Sequence, residues 1–133
     1  MDDNCIFCML GKNNPGIVFE DSTCYIIPDK YPSERGHTLV IAKEHHGNML
    51  ETPDETIEHM FVVSKKYGSR LKIGMGADGL NISTNVGKEA GQLIGHFHIH
   101  IIPRYSAKQQ GFAKHAEVSK EDAEMIRKVL TRG

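Results

Sequence analysis

The segment from His96 to Ile102 constrains the fold of this chain more than any other stretch of its sequence. It alternates histidine with apolar residues, a period of two that is typical of a β-strand with one buried face. In such a strand the imidazoles share one face at spacings of about 6.6 Å. They are His96, His98 and His100, with Phe97, Ile99 and Ile101 on the other face. The pattern therefore predicts a sheet that presents three histidines to one cavity.

Three clustered imidazoles need a special environment. Their six ring nitrogens require hydrogen-bond partners that an ordinary hydrophobic core does not provide. Because neighbouring positive charges repel, some of the rings should stay neutral near pH 7. A neutral imidazole suits a nucleophile or a metal ligand, and the spacing alone leaves both uses open.

The overall composition predicts a single domain spanning residues 1–133. The chain is 39% hydrophobic and 25% charged, which is enough for a sizeable core. With 16 basic and 17 acidic side chains, it has no global charge that favours nucleic acid or an anionic membrane. Its acidic start lacks the features of a signal peptide, and no apolar run approaches about 18 residues. We therefore expect a cytoplasmic protein without a nucleic-acid or membrane partner.

Local patterns predict an α+β fold. β-Branched and aromatic runs predict strands at 17–20, 23–28, 37–43, 80–86 and 95–103, and helical spacing predicts helices at 53–73 and 119–131. Capping boxes are predicted from Thr52 to Glu55 and from Ser119 to Asp122. Because strands lie before and after one long helix without βαβ alternation, we expect a mainly antiparallel sheet of about five strands, one long central helix and a C-terminal helix.

Two glycine-rich segments have different predicted roles. The first, at 74–79, fits the dinucleotide pattern G-x-G-x-x-G, but a helix precedes it and a strand follows, so we interpret it as a helix stop and turn. The second leads into the histidine segment. Its glycines allow backbone N–H groups to approach a phosphate and its amides can donate hydrogen bonds, although a flexible hairpin connection is the competing interpretation. Its relevant residues are Asn85, Gly87, Gly91 and Gln92.

The histidine segment resembles the signature of the histidine triad (HIT) family, His-φ-His-φ-His-φ-φ, in which φ is apolar. Ala90-Gly91-Gln92 precedes it and Ile102-Pro103-Arg104 follows. Further matches cover most of the chain, namely Cys5-Ile6-Phe7-Cys8, Asp29, Gly36-His37, Lys43-Glu-His45 and Asn85. The resemblance is to bacterial zinc-containing members close to the Hint nucleoside-phosphoramidase branch, and it implies the HIT-like fold.

The resemblance implies a hydrolase or transferase that acts at the α-phosphate of purine nucleoside phosphoramidates, dinucleoside polyphosphates or related nucleotidyl compounds. His98 matches the nucleophile, which forms a covalent nucleotidyl-histidine. His37 and His100 match the histidines that flank it, and Asp29 matches the carboxylate that binds the ribose hydroxyls. The positions that match the phosphate-binding loop are Asn85, Gly91, Gln92 and Leu93.

Leu93 departs from the family pattern, because many relatives carry Ser or Thr there, with a hydroxyl near the phosphate or the leaving group. Lys30 also departs, since an apolar residue is often found beside the ribose carboxylate. Two alternatives therefore stay open. One is a metal-dependent hydrolase with zinc on the three alternating histidines. The other is a non-catalytic nucleotide-binding module, which the missing hydroxyl at Leu93 favours.

Four apolar residues match the base pocket of the Hint branch. They are Ile6, Phe7, Leu10 and Ile27, and ordinary core packing is the competing explanation for each. The resemblance implies a purine nucleotide such as AMP or GMP as substrate or product. It also implies a homodimer whose sheets join across a two-fold axis.

The cysteines point to a second site. Three is an odd number for a disulfide framework in a reducing compartment, so metal binding or burial is favoured. Two cysteines and two histidines form a closed tetrahedral zinc set, which would be structural and unnecessary for the chemistry. By resemblance the ligands are Cys5, Cys8, His45 and His96, with His46 as the rival of His45. Cys24 is expected in the core, and His59 and His115 are assigned no chemistry.

Overall fold

The computed structural model describes residues 5–131, in which three α-helices pack around one five-stranded sheet. The helices are α1 (Ile6–Leu10), α2 (Asp54–Gly74) and α3 (Lys120–Thr131), and 3₁₀ turns lie at Met49–Glu51 and Lys88–Ala90. The strands are β1 (Phe19–Glu20), β2 (Cys24–Pro28), β3 (Thr38–Ala42), β4 (Gly79–Ser83) and β5 (His98–Arg104). Their order is β1-β2-β3-β5-β4, and all neighbours are antiparallel. The predicted α+β fold is confirmed.

The two faces of the sheet are covered by different helices. Phe97, Ile99 and Ile101 are fully buried on one face, in the main core that includes Leu71 of α2 and Ile126 of α3. On the other face, α1 packs over β2 and β3 in a smaller apolar cluster. That cluster includes Phe7, Tyr25, Ile27, Leu39 and Ile41. The histidines of β5 lie on this second face, beside α1.

The histidine segment enters the sheet later than predicted. β5 begins at His98, because the backbone N–H of His96 donates to the Ile94 carbonyl and that of Phe97 to the His46 carbonyl, at 2.9 and 2.6 Å. β4 ends at Ser83, so the predicted strand at 80–86 is also shorter. The predicted strand at 95–103 therefore begins three residues later, at His98, and His96 lies just before it.

The capping box predicted at Thr52 is wrong. α2 begins at Asp54, its N-cap residue is Pro53, and no side chain caps it. The Thr52 hydroxyl instead donates to the Asn48 carbonyl at 2.7 Å, because the preceding 3₁₀ turn places that acceptor within reach. At α3 the Ser119 hydroxyl does accept the Asp122 N–H at 3.1 Å, but the Asp122 carboxylate pairs with Arg35.

The glycines at 74–79 have structural roles. A Cβ on Gly74 would lie 2.5 Å from Cγ1 of Val129, so this glycine permits the close approach of α2 and α3. Gly76 has a φ of +68°, a left-handed conformation that glycine adopts without strain. The segment ends a helix and begins β4 at Gly79, which agrees with its interpretation as a helix stop and turn.

No helix in residues 5–131 has both the length and the apolar character needed to cross a membrane. The longest one, α2, exposes charged side chains such as Glu58 and Lys65. Residues 1–4, with the acidic side chains from which the lack of a signal peptide is expected, lie outside the described residues.

Candidate functional site

A cluster of imidazoles lies on the sheet face beside α1. His98 and His100 are alternate residues of β5, and their ring centroids are 4.9 Å apart. His37 directly precedes β3, and its ring centroid is 5.2 Å from that of His100. The antiparallel pairing of β3 with β5 brings these rings together, since Leu39 pairs with His100.

His98 has one nitrogen available for chemistry. Its Nδ1 lies 2.7 Å from the carbonyl oxygen of His96. Because a carbonyl only accepts hydrogen bonds, the neutral His98 ring carries its proton on Nδ1 and a lone pair on Nε2. The edge contact with Phe7, at a centroid distance of 5.0 Å, also orients the ring. The neutral His98 ring therefore keeps the lone pair of Nε2 available.

A hydrogen-bonded chain orients the neighbouring histidines. The Ser33 backbone N–H donates to Nδ1 of His37 at 3.1 Å, so the neutral ring carries its proton on Nε2. That nitrogen lies 3.0 Å from Nδ1 of His100 and 3.3 Å from Oδ2 of Asp29. When Nδ1 of His100 accepts this proton, the His100 proton lies on Nε2, where it can donate to an oxyanion.

Burial keeps these histidines neutral near pH 7. It lowers the pKa of His37 to about 4, against the opposing effect of the Asp29 carboxylate. Burial likewise lowers the pKa of His98 and of His100. At neutral pH the 3.3 Å contact between His37 and Asp29 therefore joins a neutral ring to a carboxylate and is not an ion pair.

The loop before β5 is held together mainly by its own hydrogen bonds. The Gln92 side chain accepts the Gly87 N–H at 2.9 Å and donates to the Gly47 carbonyl at 2.6 Å. The N–H groups of Gly91 and Gln92 donate within the loop, and the Asn85 amide donates to the Gly91 carbonyl at 3.4 Å. Leu93 is 92% exposed. Gly91 and Gln92 thus shape the loop, and their part in phosphate binding stays a prediction.

The residues assigned to the nucleoside occupy two neighbouring places. Phe7 of α1 and Ile27 of β2 are buried, Leu10 is partly buried, and Ile6 is half exposed. Asp29 follows β2, and one of its oxygens accepts the Tyr31 N–H at 2.9 Å. Phe7 contacts His98 and Asp29 contacts His37, so both border the imidazole cluster, and their roles toward base and ribose stay predictions.

The four predicted zinc ligands lie together. His96 Nδ1 is 3.2 Å from Cys5 Sγ and 3.5 Å from Cys8 Sγ, while His45 Nδ1 is 3.3 Å from Cys8 Sγ and 3.2 Å from His96 Nδ1. All four donor atoms lie within 4.8 Å of one another. Zinc bonds of about 2.0 to 2.3 Å give tetrahedral donor separations of roughly 3.3 to 3.7 Å, which these distances approach. The set therefore fits zinc.

The imidazole of His96 is oriented for this second site. Its Nε2 lies 2.6 Å from the Ala42 carbonyl, so Nε2 carries the proton and Nδ1 is bare toward the thiols. His96 and His98 both contact the Phe7 ring, but both ring nitrogens of His96 are engaged outside the imidazole cluster, at the thiols and at the Ala42 carbonyl. The metal-hydrolase alternative with zinc on His96, His98 and His100 thereby lacks its third ligand.

The rival ligand His46 lies outside the cysteine cluster. Its Nε2 is 3.5 Å from a carboxylate oxygen of Glu44. Its backbone carbonyl accepts the Phe97 N–H, which positions the chain before β5. The structure thus brings His45 to the thiols and keeps the His46 imidazole apart.

Two other groups of possible ligands are less suitable for a metal. Asp29, His37 and His100 lie close together, but Nε2 of His37 carries a proton in the hydrogen-bonded chain described above. Asp21, Cys24 and His59 form the other group, and burial raises the pKa of the Cys24 thiol to about 12. That thiol stays protonated and is a poor ligand.

Sequence patterns gave no indication of Ser33. Its backbone N–H sets the tautomer of His37, and a main-chain donor has no side-chain signature in a sequence. His115 has a φ of +64° and donates its N–H to the Pro32 carbonyl at 2.8 Å, so it helps to hold the loop at 29–33 in place.

Comparison with known proteins agrees with this geometry. The family model described as "HIT domain" matches residues 11–107. A hypothetical histidine triad nucleotide-binding protein from Sulfolobus tokodaii is 37% identical, with a TM-score of 0.87 over 95% of this chain and 89% of that one. A Zn-bound histidine triad family protein from Mycobacterium smegmatis is 34% identical, with a TM-score of 0.81 over 96% and 93% of the two chains.

A relative with a named activity is considerably longer than this chain. An adenylylsulfatase of Arabidopsis thaliana is 35% identical over 78% of this chain and 54% of its own length. The family match covers the sheet, the imidazole cluster and the loop before β5. The chain therefore belongs to the histidine triad family, whose members include nucleotide-binding proteins and hydrolases.

Proposed function

We propose that this protein is a nucleotide hydrolase or transferase that acts at the α-phosphate of purine nucleotidyl compounds through a nucleotidyl-histidine on His98. The observation that carries the proposal is the hydrogen bond from Nδ1 of His98 to the His96 carbonyl. It leaves the lone pair of Nε2 as the nucleophile of a ring that burial keeps neutral. A neutral imidazole is a good nucleophile at pH 7.

The proposed reaction has two displacements. Nε2 of His98 attacks the α-phosphorus, and the leaving group departs with the bonding electron pair. A leaving amine also takes up one proton from the solvent, which the later hydrolysis step returns. Water then attacks the same phosphorus, the P–N bond breaks, and its electrons return to Nε2. The products are a nucleoside monophosphate such as AMP or GMP and a proton, and the kinetics should be ping-pong.

The neighbouring groups support the charge that develops on the phosphate. The Nε2 proton of His100 would donate to a non-bridging oxygen, and His37 would hold His100 in the required tautomer. Asp29 would bind the ribose hydroxyls, and the loop from Asn85 to Leu93 would border the phosphate. Ile6, Phe7, Leu10 and Ile27 would line the base pocket.

We further propose that Cys5, Cys8, His45 and His96 hold a structural zinc ion. When bound, zinc would cross-link α1 to the segment that follows β3, at His45, and to the segment that precedes β5, at His96. Four protein ligands would leave no open position for chemistry. Substrates are proposed to be purine nucleoside phosphoramidates, dinucleoside polyphosphates or related anhydrides in the cytoplasm. The adenylylsulfatase relative supports this class, because its name also denotes cleavage at an adenylyl group.

A second candidate, a nucleotide-binding module without turnover, is favoured by Leu93. This exposed side chain has no hydroxyl to offer a leaving group. Tight binding of AMP without turnover of any nucleotidyl compound would support that candidate over the enzyme.

The covalent mechanism is tested by trapping. We expect protein incubated with adenosine 5'-phosphoramidate and quenched in denaturant to carry adenylate on His98, as located by peptide mass spectrometry. His98→Ala should lose turnover by roughly 10³-fold or more. His59→Ala is the matched control, since His59 pairs with Asp21 and not with the imidazole cluster. Undiminished turnover by His98→Ala would contradict the proposal.

A further inference from the structure

We propose that Phe7 is a positioning residue that couples metal binding by Cys5 and Cys8 to the orientation of His98. As a result, the metal site and the nucleotide site bind their ligands cooperatively. This inference rests on the proposed function, because it assumes that a nucleotide phosphate binds beside His98.

The first step concerns the stability of α1. It contains five residues, and a helix this short is not stable in water without tertiary contacts. Its N-cap thiol, on Cys5, accepts the Cys8 N–H at 3.3 Å. Both thiols face His45 and His96, while the Tyr25 hydroxyl donates to the Phe7 carbonyl. A metal ion on the four donors would therefore add a strong attachment of α1 to the sheet.

The second step concerns the Phe7 ring, which lies between the two sites. Phe7 is 4% exposed. Its ring contacts the His96 ring edge-on at a centroid distance of 5.8 Å and the His98 ring at 5.0 Å. Edge-to-face contacts depend on ring orientation, so a shift of Phe7 changes which orientation of His98 is favoured.

The third step concerns His96, which belongs to both sites. Its Nδ1 faces the thiols, and its carbonyl accepts the Nδ1 proton of His98 at 2.7 Å. Displacement of the His96 side chain would disturb the same backbone that fixes the His98 tautomer. Two contiguous routes thus connect the thiols to His98, one through Phe7 and one through the His96 backbone.

The consequence is thermodynamic linkage. With the metal bound, α1 and His96 hold His98 with Nε2 directed outward, so a phosphate binds a preformed site. Without this attachment, phosphate binding must also restrict the position of α1 and of the Phe7 ring. Linkage is reciprocal, so the factor by which zinc tightens nucleotide binding equals the factor by which nucleotide tightens zinc binding.

The experiment measures affinity by isothermal titration calorimetry, with AMP and with ribose 5-phosphate, which lacks the base. The full chain is compared with zinc loaded and after chelation, and its fold is checked by circular dichroism. Zinc-loaded Phe7→Leu removes the ring but keeps an apolar side chain. Met9→Ala is the matched control, because Met9 is a 60% exposed residue of the same helix.

We expect zinc removal and Phe7→Leu each to weaken both ligands by about tenfold, within the usual range of coupling between sites. Met9→Ala should change neither affinity. In zinc-loaded Phe7→Leu, imidazole ¹⁵N chemical shifts should show His98 losing its single Nδ1–H tautomer. If the stripped chain is unfolded, the comparison of zinc-loaded Phe7→Leu with wild type decides the question.

Two results would overturn the inference while the proposed function stands. One is a Phe7→Leu variant that weakens AMP but not ribose 5-phosphate, since Phe7 would then only be a wall of the base pocket. The other is a folded, zinc-free chain that binds both ligands as tightly as the loaded one. If the wild type binds neither ligand, the proposed function itself fails.

Discussion

At the scale of single residues, one backbone hydrogen bond decides the chemistry of each central histidine. His98 donates through Nδ1 to a carbonyl and keeps Nε2 bare, whereas His96 donates through Nε2 to the Ala42 carbonyl and keeps Nδ1 bare. Two imidazoles only two residues apart thus expose different nitrogens, one suited to attack phosphorus and one suited to bind metal. Backbone carbonyl groups, which no sequence motif reveals, thus decide which ring nitrogen of each histidine carries the proton.

The pKa of His37 predicts how the unfolding free energy depends on pH. Its folded-state pKa is about 4, against an ordinary value of 6.5. Between these values the unfolded chain binds a proton that the folded chain does not, so stability falls as pH is lowered through this window. We expect His37 to account for a loss of up to about 3 kcal/mol. Urea denaturation at about pH 7 and pH 4.5 measures it.

The matched comparison is His37→Gln. This variant lacks the titrating group but retains His98 and His100, whose pKa values are also lowered by burial. Its unfolding free energy should therefore fall less than that of the wild type over the same interval. Equal losses in the two proteins would show that His37 is not held neutral.

At the scale of elements, the short helix α1 joins the two sites. The thiols of Cys8 in α1 and of its N-cap residue Cys5 lie close to two histidines. These are His45, which follows β3, and His96, which precedes β5. The apolar side of α1 packs over β2 and β3. Because β3 and β5 are neighbours in the sheet, residues 51 positions apart in the chain bring two imidazoles within 3.2 Å of each other.

Metal content distinguishes the two adjacent histidines after β3. We expect the wild type and His46→Ala to contain about one zinc ion per chain, because four protein ligands remain in both. His45→Ala should bind zinc far more weakly and should unfold at a lower temperature, since a ligand that binds only the folded state stabilises it. Elemental mass spectrometry and thermal denaturation measure both effects.

His46→Ala is the matched control for His45→Ala. His46 differs from His45 by one position, and its imidazole faces Glu44 instead of the thiols. Loss of zinc from His46→Ala with retention in His45→Ala would reverse the ligand assignment. Absence of zinc from the wild type after growth with added zinc would remove the metal site altogether.

At the scale of the whole molecule, the β4 edge of the sheet could pair with a strand of a second chain. β4 is the last strand in the order, and its residues Asn81, Ile82 and Ser83 are exposed. An edge strand presents unpaired N–H and C=O groups that can pair with another chain. This geometry is compatible with the homodimer that the family resemblance implies, in which two sheets join across a two-fold axis.

The oligomeric state in solution tests whether the protein is a homodimer, as we propose. We expect sedimentation equilibrium at micromolar concentration to give a mass about twice that of the 14.9 kDa chain. The reason is that a second copy would satisfy the backbone groups of the β4 edge. A single species at the chain mass would contradict the dimer.

Much of the fold could be predicted from the sequence, because it depends on local periodicity. Alternation identified the strand of histidines, and helical spacing identified α2 and α3 to within a few residues. The sequence did not predict α1, whose five residues are too few to show a period. The capping box at Thr52 failed because a neighbouring 3₁₀ turn supplied a different partner for its hydroxyl.

The sequence by itself determined which residue types would meet: alternating imidazoles on one face of a sheet, and two thiols at a spacing suited to metal. The family resemblance implied how they are divided, and only the tertiary structure provides the contacts that divide them. Because β5 begins at His98 and α1 packs on that sheet face, His96 joins the cysteines while His98 joins His100 and His37. Periodicity within a strand is a local property, but the partner of each ring nitrogen is set by backbone groups that are distant in the sequence.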